Sequence, residues 1–179
     1  MITRGEERER CDEAIELLKK AAFTFAPQEH ASMRAADFGL SRLRKEGIQV
    51  LTFLNTAFLG AKALILLPEQ TMVEHWHPAR GDDPGKEETL RCLYGECNLY
   101  IPGEDNMTRG FLPEGQELNY NSRHEITLAP QGQYTLSPGV AHWFQPGPEG
   151  CVVLSLSTQV TDLDDLFTNP QIVRETKYG

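Results

Sequence analysis

Apolar residues recur at helical spacing near the start of the chain. Cys11, Ala14, Ile15, Leu18 and Ala22 share one face, with Glu and Lys on the other, which predicts an amphipathic helix over residues 5–22. Pro27 suits the first turn of a second helix running to about Phe38 and stopped by Gly39. From Ile48 to Thr158 the pattern changes to that of strands. IQVLTFLN and AKALILLP are strand candidates, the second aliphatic enough to be buried, and CVVLSLS reads as the last strand of a barrel. Turns are expected at Pro68-Glu69, Pro102-Gly103, Pro113-Glu114-Gly115, Pro130-Gln131-Gly132, Pro138-Gly139 and Pro146-Gly147. Short strands punctuated in this way predict a sandwich or barrel. Thr161 and the acids after it are expected to cap a short final helix, Asp162 to Phe167. The architecture predicted is mainly β: an N-terminal helical segment, 1–47, packed on a barrel of residues 48–179 with a short C-terminal helix.

Composition narrows the setting. The chain has 179 residues, enough for one domain with a real core. No apolar run approaches membrane-spanning length, and the charged start MITRGEERERCDEAIELLKK lacks a signal-peptide core, so a cytoplasmic protein is expected. Cys11, Cys92, Cys97 and Cys151 are scattered and are read as reduced, mostly buried thiols. A net charge of −9 and a pI near 5.0 argue against nucleic acid or an anionic membrane surface as partner.

Candidate chemistry lies in two blocks. The first is His75-Trp76-His77 followed by Glu88, six intervening residues and Gly95. The second is Gly132, five residues, then Pro138-Gly139-Val140-Ala141-His142. Residues two apart on a strand leave the same face, so His75 and His77 point together. An HxH alone more often marks two solvated histidines. The joint pattern, with a third histidine, a glutamate and glycines at fixed offsets, predicts one divalent metal held by His75, His77, Glu88 and His142 at the floor of the barrel. This set of nitrogen and oxygen donors without thiolate admits Mn, Fe, Co, Ni or Zn. The polar loop PARGDDPGKE between His77 and Glu88 borders the metal and is a candidate lid or rim. Glu74 is open between a partner for a histidine ring and an exposed acid. Trp76 is read as packing, Glu149 as a turn acid or a displaced base, His30 as helix surface and His124 as structural. Arg91 and Tyr134 are left open.

The two blocks resemble the cupin motifs, with a longer first-block loop than most. EHWHPARGDDPGKEETLRCLYGE, HEITLAPQGQYTLSPGVAHWFQPGPEGCVV and DLFTNPQIVR look like the D-lyxose isomerase family, as do ADFGLSRLRKEGIQVLTFLNT and the LPEQT segment. The similarity runs from about Ala36 to Arg174. It implies a double-stranded β-helix of the jelly-roll type, a metal-dependent enzyme, typically manganese-using, and the same four ligands. Such enzymes interconvert D-lyxose with D-xylulose and often D-mannose with D-fructose. Lys86, which alone reads as a solvated loop lysine, matches a family lysine near the metal and is a candidate catalytic residue. A homodimer is expected from the family class.

One position departs from that pattern. The last strand of the family carries a glutamate thought to act as acid/base, and Ser155 stands in its place in LSLS. A serine hydroxyl cannot exchange a carbon-bound proton near neutral pH as a carboxylate does. The leading expectation is an aldose–ketose isomerase working through a metal-stabilised enediolate. A metal-containing sugar-binding cupin with lost or altered catalysis is the alternative that Ser155 suggests. A cupin dioxygenase is a third, against which the family strings argue.

Overall fold

The computed structural model describes residues 1–158 and 162–179. Helix α1 spans Arg4–Lys20. Thr3 starts it by accepting from the Glu6 amide while the Glu6 carboxylate accepts from the Thr3 amide, a reciprocal capping box. Glu6 and Glu7 lie in the first turn and Lys19 and Lys20 in the last, each suited to the helix dipole. The face expected to be apolar packs outside the sheet: Ala14, Leu17 and Leu18 meet Leu51, Ala63, Ile65 and Val152. Burying Leu18 there contributes about 2 kcal/mol.

The second helix is much shorter than expected. α2 covers only Pro27–His30, and β1, Arg34–Ala36, follows it. β1 pairs antiparallel with β2, Ile48–Asn55, and buries Met33 and Ala35 against the α1 layer. Sheet pairing and burial therefore override the helical preference of the alanines. Asp37 closes the turn beyond by accepting from the Gly39 and Ser41 amides.

The remaining strands are β3 (Gly60–Leu66), β4 (Met72–Trp76), β5 (Glu88–Ile101), β6 (His124–Leu128), β7 (Gln133–Leu136), β8 (His142–Ser157) and β9 (Leu166–Phe167). All named pairings are antiparallel, in the path β1-β2-β3-β8-β4-β9, with β5 joined to β6, β7 and β8. This curled sheet is the jelly-roll barrel expected. Its interior holds Leu64, Leu90, Leu99, Phe144, Val153 and the thiols of Cys92, Cys97 and Cys151.

Two expectations about β8 and the C-terminal segment need correction. Pro146-Gly147 is no turn: β8 runs through it, and Pro146 faces Cys97 where the β5 register shifts, a site that tolerates a strand proline. The expected final helix is a single 3-10 turn, Asp162–Asp164, followed by strand β9. Pairing of Leu166 and Phe167 with Trp76 and His75 draws that segment onto the sheet. The expected cap Thr161 lies outside the described residues.

The β5–β8 ribbon turns a corner halfway along. Register shifts fall between Cys92 and Tyr94 and between Gly95 and Cys97. Gly95 has φ +70°, and a Cβ on it would lie 2.1 Å from the Gly150 carbonyl oxygen. The offset glycine of the first block is thus the residue that lets two backbones meet at the bend.

Candidate metal centre and cavity

β4 ends on Trp76, with His75 inside it and His77 one residue beyond. β5 begins with Glu88 and β8 with His142. All four side chains are buried. The three imidazoles bring one ring nitrogen each to within 4.8 Å of one another. The His75 ring lies 4.2 Å from the His142 ring and 5.4 Å from that of His77, centroid to centroid. Glu88 Oε2 lies 3.5 Å from His77 Nε2 and 3.9 Å from His142 Nε2.

Backbone carbonyls orient each ring. The Nδ1 atoms of His75, His77 and His142 lie 2.9, 3.2 and 2.9 Å from the carbonyl oxygens of Val73, Lys86 and Val140. A carbonyl only accepts, so each Nδ1 carries the proton and each Nε2 keeps its lone pair. The Nε2 atoms of His77 and His142 are buried with no hydrogen-bond partner among the described residues. Burial holds all three imidazoles below their ordinary pKa, that of His77 at about 3, so they are neutral at pH 7. Burial alone would raise the Glu88 carboxyl. The Lys86 ammonium leads the contacts that outweigh burial and hold it below the usual range. Three neutral nitrogens with free lone pairs beside one carboxylate fit a divalent ion.

A cavity of about 510 Å³ opens from His75 and Glu88 toward Arg34, Arg174 and Glu175. Lys86 is buried in its wall, with Nζ 3.0 Å from Asp162 Oδ1 and 3.9 Å from Asp165 Oδ1. Burial opposes its charge, but Glu88, Asp165 and Asp162 raise its pKa above the ordinary value, so it is an ammonium. The reading of Lys86 as a solvated loop residue is thereby replaced.

Several residues at this site escaped the sequence. Asp162 also meets Lys62 and lies 3.6 Å from Arg174 Nη2. Asp165 Oδ1 is buried, without a hydrogen bond among the described residues, 3.8 Å from His77 Nε2. Burial raises the Asp165 carboxyl to about 7, with the Asp162 charge adding to it and Lys86 opposing. Lys62 did leave a signal, being the one charge in the otherwise apolar strand GAKALIL. In the sequence the aspartates fall in the expected final helix, and Asp165 opens the family string DLFTNPQIVR, with no signal of a cavity role.

Other candidates fall elsewhere. Glu74 is neither exposed nor bonded to a histidine: it accepts from the Asn121 and Ser122 amides and the Thr168 hydroxyl. Glu149 is exposed and accepts from the Tyr94 hydroxyl. Arg91 pairs with Gln133, and Tyr134 packs on the barrel core. His124 bonds the Glu104 carbonyl, and the His30 ring lies tilted against that of Phe25. The loop between His77 and Glu88 is tied to the 162–165 turn by an Arg80–Asp164 ion pair, and of its residues Lys86 lines the cavity. Ser155 does face the site, where its hydroxyl donates to Glu88 Oε1. Among the described residues no helix is long and apolar enough to cross a membrane.

Comparison with known proteins shows the family and the fold. The chain is 44% identical over 173 residues to the D-lyxose ketol-isomerase of Cohnella laeviribosi, covering 96% of this chain and 95% of that one. It is 42% identical over 175 residues to the D-lyxose/D-mannose isomerase of Thermosediminibacter oceani, covering 97% of each. No family model matches. Among solved structures, a variant of Acinetobacter sp. DL28 L-ribose isomerase in complex with L-ribose superposes with a TM-score of 0.77 at 17% identity, covering 96% of this chain and 94% of that one. Cellulomonas parahominis L-ribose isomerase gives 0.76 at 19%, covering 95% and 94%. At such identity these structures support the fold, a cupin-type double-stranded β-helix. The chain belongs to the D-lyxose ketol-isomerase family.

Proposed function

We propose that this family member is a divalent-metal-dependent aldose–ketose isomerase of the D-lyxose/D-xylulose or D-mannose/D-fructose type. The observation that carries the reading is the convergence of three oriented imidazoles and the Glu88 carboxylate at the cavity floor, beside the buried Lys86 ammonium. His75, His77, Glu88 and His142 would hold the ion, with Mn favoured and Zn, Co, Ni or Fe compatible with the donors. Such an ion supplies Lewis-acid stabilisation of negative charge on the sugar oxygens.

The protein's own groups do the rest. Isomerisation moves a proton between C2 and C1, so an acceptor must sit within reach and have a pKa near the working pH. Asp165 offers a carboxylate oxygen that carries no hydrogen bond among the described residues, in a residue lining the cavity, and a carboxyl held at about 7. It is our candidate for the role that Ser155 cannot fill. Lys86, oriented by Asp162, places a fixed positive charge where a sugar oxygen becomes anionic. We further propose a homodimer. A reducing, cytoplasmic setting is consistent with four free, buried cysteines.

Ser155 keeps one other reading in view, a metal-containing sugar-binding protein without turnover. The two are separated by assaying manganese-reconstituted protein on D-lyxose and D-mannose and scoring ketose. Turnover that disappears with chelator is expected. Bound manganese with no turnover would overturn the isomerase and leave the binding protein.

A further inference from the structure

The residue expected to depart from the family pattern, Ser155, touches the candidate centre directly. Ser155 is buried near the end of β8, and its hydroxyl donates to Glu88 Oε1. The ladder explains the contact. Glu88 pairs with Ser157, so Ser155 lies two residues along on the same face, at the diagonal position a long side chain reaches. The other oxygen of the same carboxylate, Oε2, is the one that approaches His77 and His142. On the far side of β8, Ser155 pairs with Lys62, whose ammonium is engaged by Asp162. The serine hydroxyl is therefore a hydrogen bond that splits the Glu88 carboxylate into one occupied and one presented oxygen.

We propose that Ser155 is a positioning residue for Glu88: its hydroxyl fixes the carboxylate so that only Oε2 is offered to the three-histidine cluster. The inference rests on the metal-site reading above. It gives position 155 a role that needs no proton transfer and that a hydroxyl performs better than a carboxylate. An acid at 155 would set a second negative charge against Glu88 in a buried site. A ligand oriented by a buried partner loses about 10- to 100-fold in metal affinity when that partner is removed. A carboxylate free to turn both oxygens inward would also occupy room at the cluster that two sugar oxygens need.

The test compares wild-type with Ser155→Thr and Ser155→Val, which match in shape and differ in the hydroxyl. Each full-length protein is stripped with chelator and titrated with manganese, free Mn(II) being read by its electron paramagnetic resonance signal. KM and kcat on D-lyxose are measured alongside. The proposal expects Ser155→Thr to keep manganese affinity within about threefold, and Ser155→Val to lose about tenfold or more. The Val variant should also broaden the spectrum of the bound ion and raise KM more than it lowers kcat. Equal manganese affinity in all three proteins overturns the role of Ser155 and leaves the metal site standing. Equal loss in the Thr and Val variants also overturns it, because shape rather than the hydroxyl would then matter. Wild-type protein that takes up no manganese would overturn the metal reading itself, and the proposal with it.

Discussion

Glu88 Oε2 lies 3.9 Å from His142 Nε2, although the β5–β8 ladder sets the two residues at opposite ends of the ribbon. Glu88 pairs with Ser157 and Tyr100 with Trp143, so along a flat ribbon the two residues would be a dozen positions apart. At about 3.3 Å per residue that is some 40 Å. The two approach because the ribbon folds over at the Gly95–Gly150 corner, where both glycines have positive φ. The corner thus assembles the site: it lays the first strand of one motif over the start of the other.

Gly95→Ala tests that corner. A Cβ would meet the Gly150 carbonyl oxygen at 2.1 Å, and the φ of +70° would be strained as well. Backbone must move to relieve it. Urea denaturation should show a loss of more than about 2 kcal/mol. Manganese uptake should fall in the fraction that still folds, because Glu88 and His142 lie on opposite arms of the bend. A stable variant with unchanged uptake would refute this account of the corner.

His142→Ala removes one of three oriented nitrogens. Manganese content after dialysis should drop by at least about tenfold in affinity, and ketose formation should vanish with it. His124→Ala is the control, since that ring bonds the Glu104 carbonyl away from the cluster. Full metal content in the first variant, or equal loss in both, would reject His142 as a ligand.

Asp165→Asn keeps the shape and removes the ability to take a proton. Turnover of D-lyxose should fall by about 10²- to 10⁴-fold while manganese content is retained. Loss of less than threefold would move the proton acceptor elsewhere, to another of the cavity's carboxylates.

Lys86→Met should act differently. Lys86 Nζ is flanked by Asp162 and Asp165, so its removal leaves the buried Asp165 without its ion-pair partner, while the partly exposed Asp162 keeps Lys62 and Arg174. Breaking such a group costs about 3–5 kcal/mol. Stability and kcat should therefore fall together in Lys86→Met. The double variant with Asp165→Asn should recover part of the stability and none of the activity. Unchanged melting in the single variant would contradict the buried ion pairs.

How far the site was legible follows from which contacts are local in sequence. His75 and His77 share a strand face by spacing alone, and Glu88 and His142 open the runs where strands were expected. The barrel was legible from its turns for the same reason. β1 was not, because Arg34–Ala36 is a strand only through its pairing with Ile48–Val50. Asp162 and Asp165 were not, because their partners Lys62 and Lys86 lie about 80 to 100 residues earlier. Only the closure of β9 onto β4 carries those acids to the cavity. Ser155 was noticed as an oddity, and the pairing of Glu88 with Ser157 explains where its hydroxyl goes.

Acid should destabilise the metal-free protein through its three buried imidazoles. His75, His77 and His142 are held neutral when folded, with pKa values below the unfolded 6.5. Their contribution is fully present above pH 6.5. It is lost as pH falls, down to about 3 for His77, because the unfolded chain takes up protons that the folded one refuses. Asp165 works in the opposite sense. Its folded value near 7 lies above the unfolded 3.8, so its contribution grows as pH falls through 7. Each group is worth at most about 1.4 kcal/mol per pH unit, and three rings against one carboxyl leave a net loss on acidification of up to about 3 kcal/mol per unit. Glu88 and Asp162, whose values are lowered, are mainly ionised in both states between pH 6.5 and 5 and add only slightly to that loss near pH 5. Urea midpoints of chelator-treated protein at pH 7 and pH 5 measure it. Asp165→Asn should steepen the dependence, since the opposing group is gone, and His142→Ala should flatten it. A midpoint that does not move between the two pH values would mean the imidazoles are protonated in the metal-free fold, and a metal would then have to displace those protons to bind.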